Sequence, residues 1–335
     1  MSSLVIQTSF LGDTILTTPL ITELGKRGPV DVVTTPAAAT LLRYHPDIRS
    51  VVPYDKRGAD AGVFGFLRTA RRLRKFGYEA AYLAQGSLRS GALAMAAGVS
   101  RRVGFASSAG RRFYSEKVEL REDLHHGARL LSLAGVVPSP ATVVRPRLYP
   151  GIPERGAVDR LLAFHEVHDD GPPLVALAPG SVWATKRWPF YAELARALAP
   201  KARVVVIGAR EDVPLSDEVC ASVPGAINAA GMLTLLGSAE LIRRCNLLVS
   251  NDSAPLHLAS AVDTPTVAIF GPTVPAFGFG PLAKDSEIIG LDGLACRPCD
   301  RHGPRRCPLG HWRCMREITP GDVAARVFDI LSRSP

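Results

Sequence analysis

The sequence lacks long apolar segments and a basic N-terminal region. It contains no run of 18 or more apolar residues, the length that an α-helix needs to span a bilayer. The first residues, MSSLVIQTSFLGDT, have no basic stretch of the kind that opens a secretory signal, and an acid follows at Asp13. These absences predict a cytoplasmic protein. Because disulfides are rare in that compartment, we expect the six cysteines to be thiols or metal ligands.

Aromatic residues are also sparse, at 7% of the chain, and they do not alternate with the basic residues. No RNA- or DNA-binding motif is visible. A non-enzymatic nucleic-acid-binding protein is therefore the weakest of the functional alternatives, although a net charge of +9 favours some anionic partner. An acidic membrane surface and a phosphorylated substrate are the other partners that this charge favours.

The length and the apolar pattern predict two α/β domains. A chain of 335 residues with 47% hydrophobic residues is long enough for two cores. Strand-like runs such as LVIQTSF and VDVVTT alternate with helical stretches such as FLRTARRLRKF (66–76), and this rhythm indicates doubly wound parallel sheets. It restarts after RPRLYPGIPERG (145–156), a proline- and glycine-rich candidate linker. We therefore predict domains at 1–150 and 151–319, and a C-terminal helix at 320–335 that packs back on the first domain.

The unusual loops all follow predicted strands, where open parallel sheets bind ligands. LGDTILTTP (11–19) comes after the first strand, but that loop has neither the G-x-G-x-x-G pattern nor a P-loop. Asp13 fits two roles at this position. It is suited to be the N-cap of the first helix, and an ionised carboxylate there also suits a general base.

Two later stretches carry residues that suit an anion site. APGSVWATKRWP (178–189) brings Ser181, Thr185 and Lys186 to a predicted helix start, although a solvated basic loop explains it equally well. SNDSAPLHLASAVDTPTVAIFGPT (250–273) places Asp252 and His257 around another helix start. His257 suits a phosphate oxygen or a core position, and Asp252 is better suited to sugar hydroxyls.

These three stretches, in this order, resemble the ADP-heptose–lipopolysaccharide heptosyltransferases, glycosyltransferase family nine. The resemblance spans nearly the whole chain. It implies a GT-B fold, in which two Rossmann-like domains face each other across a cleft, with the acceptor on the first domain and the nucleotide sugar on the second. It further implies the inverting transfer of a heptose from ADP-heptose to a sugar hydroxyl of the lipopolysaccharide inner core, on Kdo-lipid A or heptosyl-Kdo-lipid A.

The resemblance also assigns roles to individual residues. Asp13 matches the presumed general base that deprotonates the acceptor hydroxyl. The resemblance implies that the donor is bound by Thr185, Lys186, Asp252, Ser253, Ala254 and His257. Ser181, a hydroxyl of the same loop as Lys186, is a further predicted donor-binding residue. Many members have glycine where this chain has Ala254. No Asp-x-Asp motif stands out in the donor loops, so we expect catalysis to require no metal cofactor, with the lysine, the histidine and helix amides stabilising the ADP leaving group.

Arginine pairs of the first domain suit the anionic acceptor, because Kdo carboxylates and lipid A phosphates are bound well by guanidinium groups. The predicted acceptor-binding residues are Arg71, Arg72, Arg101, Arg102, Arg111 and Arg112. The expected partners are thus the inner-core acceptor, an ADP-sugar and the inner face of the inner membrane, on which the protein is peripheral, with no nucleic acid. Another nucleotide-sugar-dependent GT-B glycosyltransferase of cell-envelope polysaccharide remains the alternative enzyme.

Four cysteines close to the C-terminus have the spacing C-x2-C-x7-C-x6-C. Cys296, Cys299, Cys307 and Cys314 could form a structural zinc or iron–sulfur site, or they could be reduced thiols. CRPCDRHGPRRCPLGHWRCM also looks like a cysteine-rich segment found in many members of the family. We expect the remaining two, Cys220 and Cys245, to be core residues.

Overall fold

The computed structural model describes residues 1–333, which form two compact units. The first unit is Met1–Tyr149 and the second begins at Pro150, one residue before the boundary drawn from the sequence. The last two positions of the predicted C-terminal helix, 334 and 335, lie outside the described residues. No helix among the described residues is long and apolar enough to cross a membrane.

The first unit is a six-stranded parallel sheet with helices between the strands. Its strands are β1 (Ser3–Gln7), β2 (Val30–Thr34), β3 (Ile48–Pro53), β4 (Ala80–Leu83), β5 (Arg101–Phe105) and β6 (Glu116–Val118). Its helices are α1 (Leu11–Gly25), α2 (Pro36–Leu41), α3 (Gly62–Arg74), α4 (Leu88–Ala96) and α5 (His126–Leu131). The two central strands, β1 and β4, are fully buried, as the continuous apolar runs predict.

The second unit repeats this plan. Its strands are β7 (Leu174–Ala178), β8 (Arg203–Val206), β9 (Ile227–Asn228), β10 (Leu247–Asn251), β11 (Thr266–Phe270) and β12 (Glu287–Gly290). Its helices are α6 (Ile152–Phe164), α7 (Tyr191–Leu198), α8 (Val213–Ala221), α9 (Leu235–Arg244), α10 (Ala254–Val262), α11 (Arg313–Arg316) and α12 (Pro320–Arg333). Part of the predicted linker is thus the beginning of α6.

Both sheets have the same strand order, and this order fixes where a ligand can bind. The first sheet runs β3-β2-β1-β4-β5-β6 and the second runs β12-β11-β10-β7-β8-β9, with all strands parallel. In each sheet the second and third strands lie on one side of the first strand, and the fourth to sixth strands lie on its other side. The crevice at this reversal, beyond the carboxyl ends of the two central strands, is where doubly wound sheets bind ligands.

The C-terminal helix α12 packs within the second unit. Val323, Val327 and Ile330 on its apolar face are buried in the core formed around β7, β10 and α7. On its exposed side, Arg326 donates to the Glu287 carboxylate at 2.9 Å. The apolar face of α12 thus belongs to the core of its own unit, and the packing of this helix against the first domain stays a prediction.

Candidate active site

Asp13 lies at the reversal point of the first sheet, in the first turn of α1. The helix begins at Leu11 and its N-cap is Phe10, so Asp13 is the third helical residue and is not itself the N-cap. Its Oδ2 atom accepts hydrogen bonds from the Ser9 hydroxyl at 2.5 Å and from the Phe10 backbone N–H at 3.4 Å. A carboxylate in the first turn is stabilised by the helix dipole and by such donors. About a fifth of the side chain remains accessible to solvent.

Two residues that the sequence did not single out hold this carboxylate. The Ser9 hydroxyl lies between Asp13 and the Gln7 side chain, whose Oε1 is 2.8 Å away. His126, the first residue of α5, places its Nε2 atom 4.0 Å from Asp13 Oδ1. Ser9 is within the quoted loop and could have been noticed there. His126 is distant in the sequence, and only the fold brings it to the carboxylate.

A cluster of cations follows β3 at the same carboxyl edge. Lys56 donates to the Thr8 backbone carbonyl at 2.7 Å. Burial and the nearby Arg57 and Arg89 guanidinium groups lower the pKa of Lys56. Arg89, at the start of α4, lies over the Tyr54 ring, 5.3 Å from its centroid. An anion that bound at this edge would reduce the repulsion among these cations.

The predicted acceptor-binding arginines are not all at this edge. Arg101 and Arg102 begin β5 and therefore lie at the opposite, amino edge, where Arg101 forms an ion pair with Glu116 at 2.8 Å. Arg71 and Arg72 lie in the last turn of α3, which runs back toward the amino edge. The fold brings Arg111 and Arg112 to the carboxyl side, in a short helical turn after β5; these are the remaining two of the six.

A buried ion pair lies at the reversal point of the second sheet. Lys186, in the loop after β7, places its Nζ atom 2.6 Å from the Oδ2 atom of Asp252, which directly follows β10. Thr273 donates its hydroxyl to the same oxygen at 2.7 Å. The lysine and the aspartate are each less than a tenth exposed, and Thr273 is 1% exposed. A lysine has three N–H donors, so two remain besides the one that pairs with Asp252.

The remaining predicted donor-binding residues surround this pair. Ser253 is the N-cap of α10, a nine-residue helix whose first residue is Ala254. His257 is buried in the first turns of that helix, with its ring 6.2 Å from the Phe279 ring. Thr185 donates its hydroxyl to the Pro304 carbonyl at 2.5 Å, and Ser181 is buried in the same loop. The N-terminus of a helix beside a lysine is suited to an anion such as a diphosphate.

The cysteine-bearing segment packs directly on this pair. Gly303 has a φ of +82°, and a Cβ atom there would come within 3.3 Å of the Lys186 side chain. Arg297 donates to the Thr273 carbonyl at 3.0 Å and to the Phe270 carbonyl at 3.1 Å. The segment therefore packs against the Lys186 side chain and is hydrogen-bonded to the loop that carries Thr273.

The structure does not support the metal site predicted for the four cysteines. Within residues 1–333, no group of three or more His, Cys, Asp or Glu side chains is placed to hold a metal ion. The four sulfurs lie in different surroundings. Cys314 faces the core, where burial raises its pKa to about 11. Two effects act on the pKa of Cys307. Burial raises it, but the backbone N–H groups around the sulfur lower it by more, so the pKa of Cys307 lies below its usual value.

Of the two other cysteines, Cys245 is a core residue as expected and Cys220 lies at the border of the core. Cys245 is buried and donates its thiol to the Leu241 carbonyl at 3.2 Å. Cys220 is half-buried on α8, packs against the core of the second unit, and has a pKa raised to about 11, mainly by burial.

Known proteins with similar sequences and structures include several heptosyltransferases. Lipopolysaccharide heptosyltransferase 2 of Salmonella typhimurium is 26% identical over 99% of both chains. Lipopolysaccharide heptosyltransferase 1 of Pseudomonas aeruginosa is 28% identical over 89% of this chain and 86% of its own. The solved structure of the ADP-heptose heptosyltransferase II of Escherichia coli has a TM-score of 0.80 at 24% identity, and covers 99% of each chain.

The sequence profile of glycosyltransferase family 9 (heptosyltransferase) matches residues 66–310, which include parts of both units. The two parallel-sheet units are those of the GT-B fold, as the sequence resemblance implied. The prediction of a glycosyltransferase is confirmed, and this chain belongs to glycosyltransferase family 9, the heptosyltransferase family.

Proposed function

We propose that this protein transfers a heptose from ADP-heptose to the inner core of lipopolysaccharide, with inversion at the anomeric carbon and without a metal cofactor. The observation that carries the proposal is that the two reversal points hold complementary chemistry. Asp13 supplies a carboxylate in the first unit, and Lys186 with the α10 N-terminus supplies positive charge in the second. Relatives of both the first and the second heptosyltransferase type are similar to this chain, so either acceptor, Kdo-lipid A or heptosyl-Kdo-lipid A, fits.

In the proposed reaction Asp13 takes the proton from the acceptor hydroxyl as that oxygen attacks the anomeric carbon of the heptose. The bond between this carbon and the diphosphate oxygen breaks, and ADP leaves with the electron pair. Lys186 and the free amides of α10 stabilise the charge that develops on the leaving diphosphate, a role that a divalent cation has in other transferases. One displacement inverts the anomeric configuration.

The acceptor's carboxylates and phosphates are proposed to bind at the carboxyl edge of the first sheet. Lys56, Arg57 and Arg89 join Arg111 and Arg112 as the cations of this edge. Because the other four predicted arginines begin β5 or end α3, we assign them no direct contact with the acceptor. The anionic acceptor also favours a peripheral position of the protein at the inner membrane surface.

The test is transfer from ADP-heptose to defined inner-core acceptors by the wild type and by Asp13→Asn. General-base catalysis contributes about 100- to 10,000-fold, so turnover should fall by about this factor while ADP-heptose binding is retained. Activity of the wild type should persist in EDTA. An Asp13→Asn variant that loses donor binding and keeps its turnover would overturn the assignment of the base. Thermal stabilisation by UDP and not by ADP would favour the alternative, another GT-B glycosyltransferase of cell-envelope polysaccharide.

A further inference from the structure

Helix α3 exposes apolar side chains at its first turns and cations at its last turns. Val63 and Phe64 are 69% and 88% exposed, and Leu67 is also exposed. Five basic residues follow, with no acidic residue between positions 61 and 78. They are Arg68, Arg71, Arg72, Arg74 and Lys75. Phe64, Val63 and Leu67 together form an exposed apolar group beside these cations, and such a group is typical of an interaction surface.

These exposed residues share one half of the helix surface. At 100° per residue, Phe64, Leu67, Arg71 and Lys75 lie on one side, and the opposite side consists of the buried Gly65, Thr69, Ala70 and Leu73. The exposed side is defined here as the α3 face, residues 63, 64, 67, 68, 71, 72, 74 and 75. The α3 face therefore presents three apolar side chains and five cations to solvent, and Arg68 among them also pairs with the Asp60 carboxylate at 2.7 Å. Cations clustered next to exposed apolar side chains suit the surface of an anionic membrane.

The charge of the whole first unit supports an anionic surface as the partner. Residues 1–149 contain 21 Lys and Arg against 11 Asp and Glu, whereas residues 150–335 contain 19 against 20. The net positive charge of the protein therefore resides in the unit that carries the α3 face. Such a concentration of cations is attracted to anionic phospholipid headgroups. A purely apolar protein partner would gain nothing from these cations.

The α3 face also lies close to the proposed catalytic edge. The guanidinium of Arg89 donates to the carbonyls of Asp60 at 3.0 Å and Gly62 at 3.4 Å, and thereby fixes the beginning of α3 beside the beginning of α4. Gln85, after β4, accepts a hydrogen bond from Thr8 at 3.3 Å, in the loop that leads to Asp13. The apolar end of α3 is therefore at the carboxyl edge of the sheet, on the same side of the unit as Asp13.

We propose that α3 docks the protein on an anionic phospholipid bilayer, with Val63, Phe64 and Leu67 inserted at the headgroup level and the cations contacting lipid phosphates. This inference deepens the proposed function, since it rests on an acceptor that is anchored in the membrane by its lipid. A bilayer bound at this face holds the carboxyl edge at the level of the headgroups, where the sugars of such an acceptor lie.

The test compares Val63→Ser/Phe64→Ser with the wild type in flotation with vesicles of phosphatidylethanolamine and phosphatidylglycerol in equal parts, and with phosphatidylcholine vesicles. The matched control is Phe164→Ser, which removes a phenylalanine of similar exposure, 82%, from the end of α6. We expect the double variant to bind the anionic vesicles about tenfold or more weakly than the wild type, and Phe164→Ser to bind normally. Phosphatidylcholine vesicles should bind the wild type weakly.

Activity and oligomeric state complete the test. The double variant should transfer heptose normally to a water-soluble, delipidated acceptor and poorly to the lipid-linked acceptor in vesicles. Equal vesicle binding by the double variant and the wild type would overturn the proposal. So would a change of oligomeric state in the double variant with no change in vesicle binding, because the face would then join copies of the chain. If no acceptor receives heptose, the proposed function fails, while vesicle binding still decides the role of α3.

Discussion

The Asp252 carboxylate has neighbours that the sequence did not predict. From the sequence it is suited to sugar hydroxyls, and Lys186 to the diphosphate. In the structure the two side chains form a buried ion pair, to which Thr273 contributes a hydrogen bond. Because a buried charge without a partner is costly, the pair keeps both side chains ordered before a donor binds. We therefore expect Thr273 to act as a positioning residue through its hydrogen bond to Asp252.

Replacement of Thr273 by valine should therefore affect donor binding. A hydrogen bond to a charged group contributes about 1.5–3 kcal/mol, so the free energy of unfolding should fall by about that amount and the KM for ADP-heptose should rise about tenfold or more. Thr273→Ser keeps the hydroxyl and should restore the KM. Steady-state kinetics and urea unfolding measure both effects.

Thr266→Val is the matched control for this variant. Thr266 is equally buried and belongs to the same unit, but its hydroxyl donates to the Thr264 carbonyl at 3.1 Å. This variant should lose stability without a change in the KM for the donor. Similar KM values for Thr273→Val and the wild type would contradict the positioning role.

At the scale of elements, the apolar runs predicted most of the central strands and their helices, while short or polar elements escaped. β5 begins with two arginines and contains a glycine, and β6 has three residues, so neither has the pattern of a buried strand. Helix α3 begins at Gly62, four residues before the predicted start, because two glycines among apolar residues do not indicate a helix. That early turn is the one that exposes Phe64.

Helix α12 should be needed for the stability of the second unit. Ile330 on its apolar face is fully buried in the core of that unit. Truncation of a buried isoleucine to alanine costs about 2–5 kcal/mol, so Ile330→Ala should lower the free energy of unfolding by that amount. Urea unfolding provides the measurement. Ile152→Ala, at a position that is 79% exposed, is the matched control and should have little effect. Equal stability of the two variants would refute this role of α12.

At the scale of the whole molecule, the charge is divided unequally between two units of the same topology. Positions 1–149 contain 21 basic and 11 acidic residues, and they form the unit to which the acceptor is assigned. The second unit has nearly equal numbers, and the anion site proposed for it consists of one buried lysine and a helix N-terminus. We therefore expect the net charge of the first unit to attract the anionic acceptor. Binding of the donor should depend instead on the local arrangement of the lysine and the helix N-terminus.

This division predicts different salt dependence for the two substrates. Between about 0.05 M and about 0.3 M monovalent salt, the KM for an inner-core acceptor should rise severalfold, because exposed cations are screened. The KM for ADP-heptose should rise less, since the Lys186 side chain is buried. Initial rates with each substrate varied in turn measure this, with sucrose as a control for osmolarity. Equal rises for both substrates would argue against separate modes of recognition.

Local sequence patterns were sufficient to predict the α/β class, the two-domain plan and the family, and they placed Asp13, Lys186 and Asp252 after the carboxyl ends of strands. They could do so because buried parallel strands are continuous apolar runs, and because the loops at their carboxyl ends contain polar residues in a recognisable order. These features depend on residues close together in the chain.

Which residues contact one another depends on the tertiary structure. It brought His126 to Asp13, Thr273 to the ion pair, and the cysteine segment onto Lys186. It also placed four of the predicted arginines at the β5 start and in the last turn of α3, and gave α12 to the core of the second unit. Contacts across a parallel sheet join residues that are far apart in sequence, so no local pattern records them; strand order and helix direction set them.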